Sequence, residues 1–289
     1  METKPQSHHI NWGETPTSLP GRPSLNNQLL LVQTKNNICT LTLNRPEKKN
    51  SLSLELIERL RATLEELAED DSVRAVILRG SGDKAFCSGF DIGSLPTQSK
   101  GDADQRLKSL DKVESLFQGL IRFPYPVIAM LNGFAFGLGC ELAMCCDIRI
   151  GVEDIRMGVP PAKLGMVYPW AGLQRFIQSI GLQSTKEMFF TGRTYTGRRI
   201  KELGLVDYLV SGGELEEFTY GMAEEIAGNA PLALKGLKKV INLLMQSNRL
   251  DETQIKEAQT IFKSTLLSED MQEGQTAFLK KRKPRFKGK

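Results

Sequence analysis

Histidine is nearly absent from this sequence of 289 residues, and its two copies, His8 and His9, stand near the N-terminus. They fall within residues 1–27, a polar, Pro-containing stretch without hydrophobic periodicity, which we expect to be a flexible leader. A Ser-His-Asp or Cys-His catalytic system needs a histidine in the folded core, and zinc sites commonly use one. The sequence therefore predicts carboxylate or backbone chemistry, without a metal site.

Paired cysteine motifs and long apolar runs are missing as well. The five cysteines have no CxxC spacing and stand in apolar surroundings, which indicates buried free thiols in a reducing compartment. No apolar run approaches the roughly 20 residues that cross a bilayer, and the N-terminus lacks the features of a signal peptide. We therefore expect a cytoplasmic protein with no membrane partner.

The positive net charge of +4 depends on a basic C-terminal tail, residues 280–289. No aromatic platform or recognition helix accompanies this tail, so we expect no nucleic-acid partner. The tail is instead predicted to be solvated, or to contact an anionic small ligand or a neighbouring subunit.

Hydrophobic periodicity predicts an α/β protein. Strands and helices alternate from residue 28 onward, which favours right-handed crossovers and a largely parallel sheet covered by helices. The predicted elements are strands at 29–34, 38–44, 73–80 and 126–131 and helices at 53–70 and 105–122. After Trp170 the strand signal nearly vanishes, and helices are predicted at 183–190, 196–203, 214–227, 231–246, 251–267 and 268–282. We expect a core domain at 28–209 and a helical region at 210–289.

Residues 126–150, PVIAMLNGFAFGLGCELAMCCDIRI, hold the strongest indication of chemistry. A buried strand leads into a glycine-rich bend at 137–139 and then into a helix whose first turn carries Glu141. Amides at a helix start lack intrahelical partners, so they suit an oxygen that gains negative charge during a reaction. Glu141 is predicted to lie beside that oxygen, and no basic residue is close to it in the sequence.

Four motifs, taken together and in order, carry a family resemblance. They are NRPEKKNSL at 44–52, KAFCSGFDI at 84–92, NGFAFGLGCELAMCCDI at 132–148 and LGLVDYLV at 203–210. Over residues 28–289 the chain resembles the enoyl-CoA hydratase/isomerase, or crotonase, superfamily. The resemblance implies a spiral of ββα units with a C-terminal helical trimerisation region, assembled as homotrimers or dimers of trimers. It also implies acyl-CoA thioester substrates and no cofactor besides the coenzyme A that the substrate carries.

The resemblance further implies an oxyanion hole built from the backbone amides of Phe90 and Leu138. Removing a proton beside a thioester, or adding water across its conjugated double bond, places negative charge on the carbonyl oxygen. Two fixed donors stabilise that charge, and each is typically worth about 2.7–4 kcal/mol of barrier height.

Hydratases of this superfamily hold water between two glutamates, and the chain departs from that pattern. Glu141 matches the first glutamate, but Pro161 stands at the position of the second. A proline side chain neither accepts a proton nor holds water, and loss of a general acid or base typically lowers a rate by about 10² to 10⁴. Tyr168 is the candidate that stands in, and Lys163 is a weaker one.

Coenzyme A binding is expected at the loop that contains Lys48 and Lys49. The resemblance also assigns Asp91 and Ile92, whose backbone lies near adenine in relatives. From the basic tail, Lys281 or Phe278 is expected to reach the same ligand.

These assignments favour a lyase of the enoyl-CoA hydratase type, with Glu141 exchanging the proton and binding water. The alternative is a decarboxylase, similar to the methylmalonyl-CoA decarboxylase branch, or an enoyl-CoA isomerase, using the same oxyanion hole with Tyr168 orienting the acyl group. Pro161 favours that alternative. A non-catalytic scaffold is a third hypothesis, but the intact Glu141 and the two glycine-rich loops oppose it.

Overall fold

The computed structural model describes residues 29–91, 102–245 and 251–287, with the side chains of 102–107 excepted. The leader predicted for residues 1–27 lies outside this range. The described strands are β1 Leu30–Lys35, β2 Ile38–Leu43, β3 Ala75–Gly80, β4 Ala85–Cys87, β5 Val127–Leu131, β6 Phe134–Phe136, β7 Ile148–Val152, β8 Arg156–Gly158, β9 Tyr195–Thr196 and β10 Tyr208–Val210. The described helices are α1 Leu54–Ala68, α2 Asp102–Arg122, α3 Leu138–Met144, α4 Trp170–Thr191, α5 Arg198–Glu202, α6 Leu215–Ala227, α7 Pro231–Met245, α8 Glu252–Leu266 and α9 Glu269–Leu279.

The larger sheet has the strand order β1-β2-β3-β5-β7-β10. Strands β1 and β2 form an antiparallel hairpin, and the two residues of its turn, Asn36 and Asn37, have φ angles of 50° and 64°. Asparagine tolerates this left-handed conformation, which the tight hairpin turn requires. The remaining neighbours pair in parallel. The predicted parallel sheet is thus confirmed.

A second, smaller sheet has the order β4-β6-β8-β9. Its strands β4, β6 and β8 each follow directly on a strand of the larger sheet, namely β3, β5 and β7. Each pair of strands then leads into a helix, so the ββα spiral is confirmed. Strands β4 and β6 to β10 were not predicted from the sequence, because they have only two to five residues and little periodicity of their own.

Helix α4 is much longer than the sequence predicted. The prediction began at residue 183, whereas the helix begins at Trp170 and changes direction at Gly181, with φ 78° and ψ 163°. Glycines at 172 and 181 weaken the local helix signal over the first half. Packing stabilises this half because it buries Gly172, Arg175 and Phe176.

The C-terminal helices form at the predicted positions, and α9 packs against the segment that leads to Tyr168. A Cβ on Gly274 of α9 would lie 2.4 Å from the Leu164 carbonyl oxygen, so the two backbones are in direct contact. All five cysteines are buried free thiols, as predicted. Within the described ranges, no helix is long and apolar enough to span a bilayer.

Candidate active site

Glu141 is positioned by a sharp bend between β6 and α3. Gly137 occupies that bend with φ 53° and ψ −123°, a conformation that favours glycine. Helix α3 starts at Leu138, and the Glu141 amide donates to the Gly137 carbonyl oxygen over 3.1 Å. Glu141 is only 2% exposed. The bend therefore carries the chain from the small sheet into a helix whose carboxylate lies inside the protein.

Two glycines hold the SGFD and FGLG segments against each other. A Cβ on Gly89 would lie 2.8 Å from the Phe136 carbonyl oxygen, and one on Gly139 would lie 2.2 Å from the Cys87 carbonyl oxygen. Both distances are shorter than the contacts that Cβ atoms make in folded proteins. The segments that contain Phe90 and Leu138 are therefore in backbone contact, as a shared oxyanion hole requires.

The amides of Phe90 and Leu138 are both oriented away from protein acceptors. Leu52 donates to the Gly89 carbonyl oxygen and accepts from the Asp91 amide, so the intervening Phe90 N–H points to the other side. Leu138 is the first residue of α3 and has no intrahelical acceptor. Among the described residues, neither amide donates a hydrogen bond to a protein group. Both are thus free to bind an oxygen of a ligand.

Gly139→Ala tests the contact between the two segments. The new methyl group would overlap the Cys87 carbonyl oxygen, and overpacking of this kind typically lowers the free energy of unfolding by about 1–3 kcal/mol. Gly221→Ala in α6 is the matched control, because nothing lies within 4 Å of its Cβ position and alanine favours a helix. Urea denaturation measures both variants. Equal stability of Gly139→Ala and the wild type would contradict the close approach.

Glu141 is not isolated from positive charge, which corrects the sequence prediction. Arg175 of α4 donates to its Oε1 from Nε over 2.9 Å and from Nη2 over 2.7 Å. The Tyr168 hydroxyl donates to its Oε2 over 2.5 Å. These partners lie 34 and 27 residues away in the sequence, so local charge patterning does not reveal them. Three donors thus surround the carboxylate.

Arg175 joins a second carboxylate to the site. Its Nη1 and Nη2 donate to the two carboxylate oxygens of Glu114 in α2, over 3.0 Å and 2.6 Å. The guanidinium group also lies over the Phe117 ring, 5.2 Å from its centroid. One arginine therefore links helices α2, α3 and α4. It holds Glu114 through both carboxylate oxygens, in the bidentate manner that guanidinium geometry favours, and Glu141 through Oε1 alone.

Burial and the charges within this cluster together shift the pKa values of its members. It raises the pKa of Glu141 above its ordinary value, while the positive charge of Arg175 and the Tyr168 hydrogen bond act in the opposite direction. Burial and the nearby Glu141 charge raise the pKa of Tyr168, which keeps its hydroxyl protonated. For Arg175, burial acts to lower the pKa, but the Glu114 hydrogen bond and the Glu141 charge raise it. Arg175 is therefore a permanent cation.

Tyr168 reaches Glu141 from the segment that follows Pro161. A 3₁₀ helix, Pro161–Leu164, turns the chain, and Thr265 of α8 accepts the Val167 amide over 3.1 Å. The Tyr168 ring packs against Phe176 and Phe189 in edge-on geometry. A Cβ on Gly172 would overlap both this ring and the Glu141 carboxylate, so glycine leaves room for the contact. The predicted pair of Glu141 and Tyr168 is thus brought together.

Two of the predicted coenzyme A residues lie on a loop next to the SGFD segment, and a third, Asp91, belongs to that segment. Lys48 and Lys49 are exposed, and the Lys49 carbonyl oxygen accepts the Ser88 amide over 3.0 Å. Asp91 forms an ion pair with Arg45 over 2.8 Å. Lys48, Lys49 and Asp91 therefore share one face with the Phe90 segment.

The other two predicted coenzyme A residues are Ile92 and Lys281. Ile92 is outside the described residues. Lys281 is exposed just beyond α9, and within the described part of the chain no hydrogen bond or ion pair links it to Lys48 or Lys49. Their assignment to coenzyme A stays a prediction.

Arg175 and Glu114 were not predicted from the sequence. Arg175 stands three residues after Gly172, so both lie on one face of a helix. This spacing could have pointed to a buried arginine, but only if residues 170–180 had been predicted as a helix. Glu114 occupies a predicted helix, but nothing in its neighbourhood distinguishes it from the solvated glutamates of α1.

Comparison with known proteins identifies the family. The model of the family described as enoyl-CoA hydratase/isomerase matches residues 33–289. The chain belongs to the enoyl-CoA hydratase/isomerase family. Short-chain-enoyl-CoA hydratase of Clostridium acetobutylicum is 34% identical over 259 residues, covering 90% of this chain and 97% of that protein. Methylmalonyl-CoA decarboxylase of Escherichia coli is 32% identical over 262 residues, covering 90% of this chain and 98% of that protein.

Solved structures of the enoyl-CoA hydratase/isomerase family share the fold. Methylmalonyl-CoA decarboxylase in complex with 2-nitronate-propionyl-CoA has a TM-score of 0.83 and 32% identity, covering 91% of this chain and 99% of that chain. Enoyl-CoA hydratase from Bacillus anthracis has a TM-score of 0.72 and 33% identity, covering 91% of this chain and 100% of that chain. The predicted crotonase-like fold class is confirmed.

Proposed function

We propose that this enzyme of the enoyl-CoA hydratase/isomerase family removes carbon dioxide from a 2-carboxyacyl-CoA thioester of the methylmalonyl-CoA type. One observation carries the proposal: the Tyr168 hydroxyl occupies Oε2 of Glu141, and Pro161 stands where the second glutamate of the hydratases is expected. Within the part of the chain that the structure describes, the site offers free backbone amides for an enolate oxygen but no pair of free carboxylates to hold a water molecule.

The proposed reaction breaks the bond between C2 and its carboxylate group. Carbon dioxide leaves, and the bonding electron pair moves onto the thioester, giving an enolate whose oxygen accepts from the Phe90 and Leu138 amides. A proton from water then adds to C2 and restores the saturated thioester, and the hydroxide that remains combines with carbon dioxide as hydrogencarbonate. No electron acceptor or further cofactor is required, because the thioester carbonyl receives the electron pair.

The charges around Glu141 suit this reaction. An unpaired carboxylate beside a developing enolate would oppose its negative charge, whereas here Arg175 compensates Glu141 at 2.7 Å. Tyr168 stays protonated and is hydrogen-bonded to the same carboxylate. We propose that it orients the acyl group. The coenzyme A portion is proposed to be held by Lys48, Lys49, Asp91, Ile92 and Lys281.

Structural similarity also supports decarboxylation over hydration. The TM-score to methylmalonyl-CoA decarboxylase is 0.83, against 0.72 to the hydratase from Bacillus anthracis, although the sequence identities are nearly equal at 32% and 33%. The difference in TM-score therefore reflects the arrangement of the backbone and not a difference in sequence identity.

Hydration of an enoyl-CoA remains the second candidate, and it was the one that the sequence favoured. Glu141 supports it, because it is the carboxylate that the family resemblance assigns to water. For hydration, however, Glu141 would have to exchange its contact with Tyr168 for water. It would also act without the help of Glu114, whose two oxygens are bound to Arg175.

Mass spectrometry of coenzyme A thioesters separates the two reactions. Purified protein is incubated with methylmalonyl-CoA and, separately, with crotonyl-CoA. We expect methylmalonyl-CoA to lose carbon dioxide and give propionyl-CoA, while crotonyl-CoA stays unchanged. Gain of water by crotonyl-CoA without any loss of carbon dioxide from methylmalonyl-CoA would refute the proposal.

Three variants assign the roles of the side chains. Tyr168→Phe should lower the decarboxylation rate by about tenfold because it loses the positioning hydroxyl, whereas Glu141→Gln should retain most of it because no base is needed. Tyr195→Phe is the matched control, since this buried tyrosine lies on β9 outside the cluster. A Glu141→Gln variant that hydrates nothing and decarboxylates nothing would favour a proton-transfer role for Glu141.

A homotrimer, or a dimer of trimers, is proposed as the assembly. Helix α7 packs on the body through a polar face, where buried Lys238 donates to Asp147 over 2.5 Å and to the Tyr125 carbonyl oxygen over 3.0 Å. Its opposite face exposes large apolar side chains, namely Leu237, Val240, Ile241 and Leu244. Such a face is typical of one that a second copy covers. Sedimentation velocity should show a trimer or hexamer; a monomer would contradict this proposal.

A cytoplasmic location stays a prediction.

A further inference from the structure

We infer that Arg45 is a positioning residue that directs the Phe90 amide into the oxyanion hole. Nothing in the sequence motif assigns this role, because Arg45 precedes the loop of Lys48 and Lys49 and lies 45 residues before Phe90. The inference deepens the proposed function, since it takes the Phe90 amide as a donor to the thioester oxygen. It does not depend on which reaction follows enolate formation.

Arg45 connects two segments with one guanidinium group. Its Nη1 donates to the Ser51 carbonyl oxygen over 2.6 Å and to the Ser51 hydroxyl over 3.1 Å. Its Nη2 donates to Asp91 Oδ2 over 2.8 Å. The side chains of Arg45 and Asp91 are only 12% and 20% exposed, so water screens the ion pair weakly. We name these three residues, Arg45, Ser51 and Asp91, the Arg45 clamp.

The loop held by the clamp has an unusual backbone. Lys49 and Asn50 are consecutive non-glycine residues with φ angles of 54° and 55°. Such conformations persist only when surrounding contacts hold them. Here the Asn50 amide donates to the Arg45 carbonyl oxygen over 2.8 Å, and the Arg45 amide donates to Asn50 Oδ1 over 3.1 Å. Arg45 thus closes the loop through both its backbone and its side chain.

This loop ends at the residue that orients Phe90. Leu52 bonds to Gly89 on one side of Phe90 and to Asp91 on the other, over 2.8 Å and 3.0 Å. The clamp binds Ser51, directly before Leu52, and Asp91, directly after Phe90. A shift of either residue would rotate the Phe90 peptide group. The direction of the Phe90 N–H therefore depends on Arg45, although Arg45 itself does not touch the thioester.

Lysine is not equivalent at this position. A planar guanidinium reaches Ser51 and Asp91 through two different nitrogens, whereas an ammonium group is a point charge on a flexible chain. We therefore expect Arg45→Lys to keep the charge but lose the fixed geometry, with an effect between those of the wild type and Arg45→Met.

The test observes the oxyanion hole directly. Propionyl-CoA labelled with ¹³C at the carbonyl is bound to the protein, and infrared difference spectra measure the shift of the carbonyl stretch. We expect a shift to lower wavenumber in the wild type and a shift reduced by about half in Arg45→Met. Arg59→Met is the matched control, because Arg59 forms an exposed ion pair within α1, and it should retain the full shift. Turnover by Arg45→Met should fall on the order of tenfold to 10²-fold.

The outcomes separate this inference from the proposed function. A wild-type protein that binds propionyl-CoA without any shift would refute the oxyanion role of Phe90 itself. A full shift in Arg45→Met would refute only the positioning role of Arg45. Should Arg45→Met fail to fold, as judged by circular dichroism, Asp91→Ala breaks the same clamp and must reduce the shift.

A shorter ligand tests whether Arg45 acts through a direct contact with the nucleotide part of coenzyme A. Propionyl-N-acetylcysteamine presents the same thioester without the nucleotide. We expect Arg45→Met to reduce the carbonyl shift with this ligand as much as with propionyl-CoA. If Arg45→Met reduced the carbonyl shift with propionyl-CoA only, the inference would be overturned, since Arg45 would then act by binding the coenzyme.

Discussion

Leu138→Pro is expected to lower turnover of the thioester by about 10² to 10³-fold, because it removes one donor of the proposed oxyanion hole. The substitution suits the backbone. Leu138 is the first residue of α3, where proline is tolerated since its amide has no intrahelical acceptor. Gly137, at ψ −123°, also lies outside the helical region that a following proline disfavours. The change therefore deletes an N–H group with little disturbance of the helix.

Leu138→Ala is the control for this prediction. It loses the same half-buried side chain but retains the amide, so the ratio of its kcat to that of Leu138→Pro isolates the hydrogen bond. The measurement uses whichever of methylmalonyl-CoA and crotonyl-CoA the wild type converts. Thermal unfolding of both variants establishes that the helix is retained. If the two variants have equal kcat, the Leu138 amide has no role in catalysis.

Arg175→Met is expected to lower the free energy of unfolding by about 3–5 kcal/mol, because it leaves the Glu141 charge buried without a cation. The side chains of Arg175 and Glu141 are 9% and 3% exposed, so solvent does not replace the lost partner. Arg199→Met is the matched control: Arg199 also contacts two glutamates, Glu187 and Glu202, but is 48% exposed. Its removal should change stability by no more than about 1 kcal/mol.

The double variant Arg175→Met/Glu141→Gln identifies the cause. Glutamine removes the buried charge and keeps an oxygen for the Tyr168 hydroxyl, so we expect recovery of at least half of the stability lost in Arg175→Met. No recovery would mean that lost packing, for example against the Phe117 ring, explains the effect.

The pH dependence of Arg175→Met follows from the same charge. Burial raises the pKa of Glu141 above the value of 4.5 that applies to the unfolded chain, and loss of Arg175 removes the main opposing influence. Between these two pKa values the folded state holds a proton that the unfolded state has released, so stability falls as pH rises. The stability deficit of Arg175→Met relative to the double variant should therefore be larger at pH 8 than at pH 4.5. Urea denaturation at both pH values measures it.

The order of the ββα units was predictable because its signals are local. Apolar runs indicate β2, β3 and β5, the Asn36-Asn37 turn closes the hairpin, and Ser53 and Asp251 cap their helices at the predicted starts. The short strands β4 and β6 to β10 and the first half of α4 were not predictable in this way. They carry little periodicity and are stabilised by neighbours that are distant in the sequence.

The family, the ββα order and the two glycine-rich segments that contain Phe90 and Leu138 can be recognised in the sequence, because each depends on residues that are adjacent or periodic. The environment of Glu141 cannot be recognised there, because it forms from residues that only folding brings together. Tyr168, Arg175 and Glu114 come from three different segments. The Tyr168 hydrogen bond and the charges of Arg175 and Glu114 act on Glu141 only after folding excludes water from between them. The same carboxylate that looks free in the sequence is therefore a fully bonded one in the folded protein.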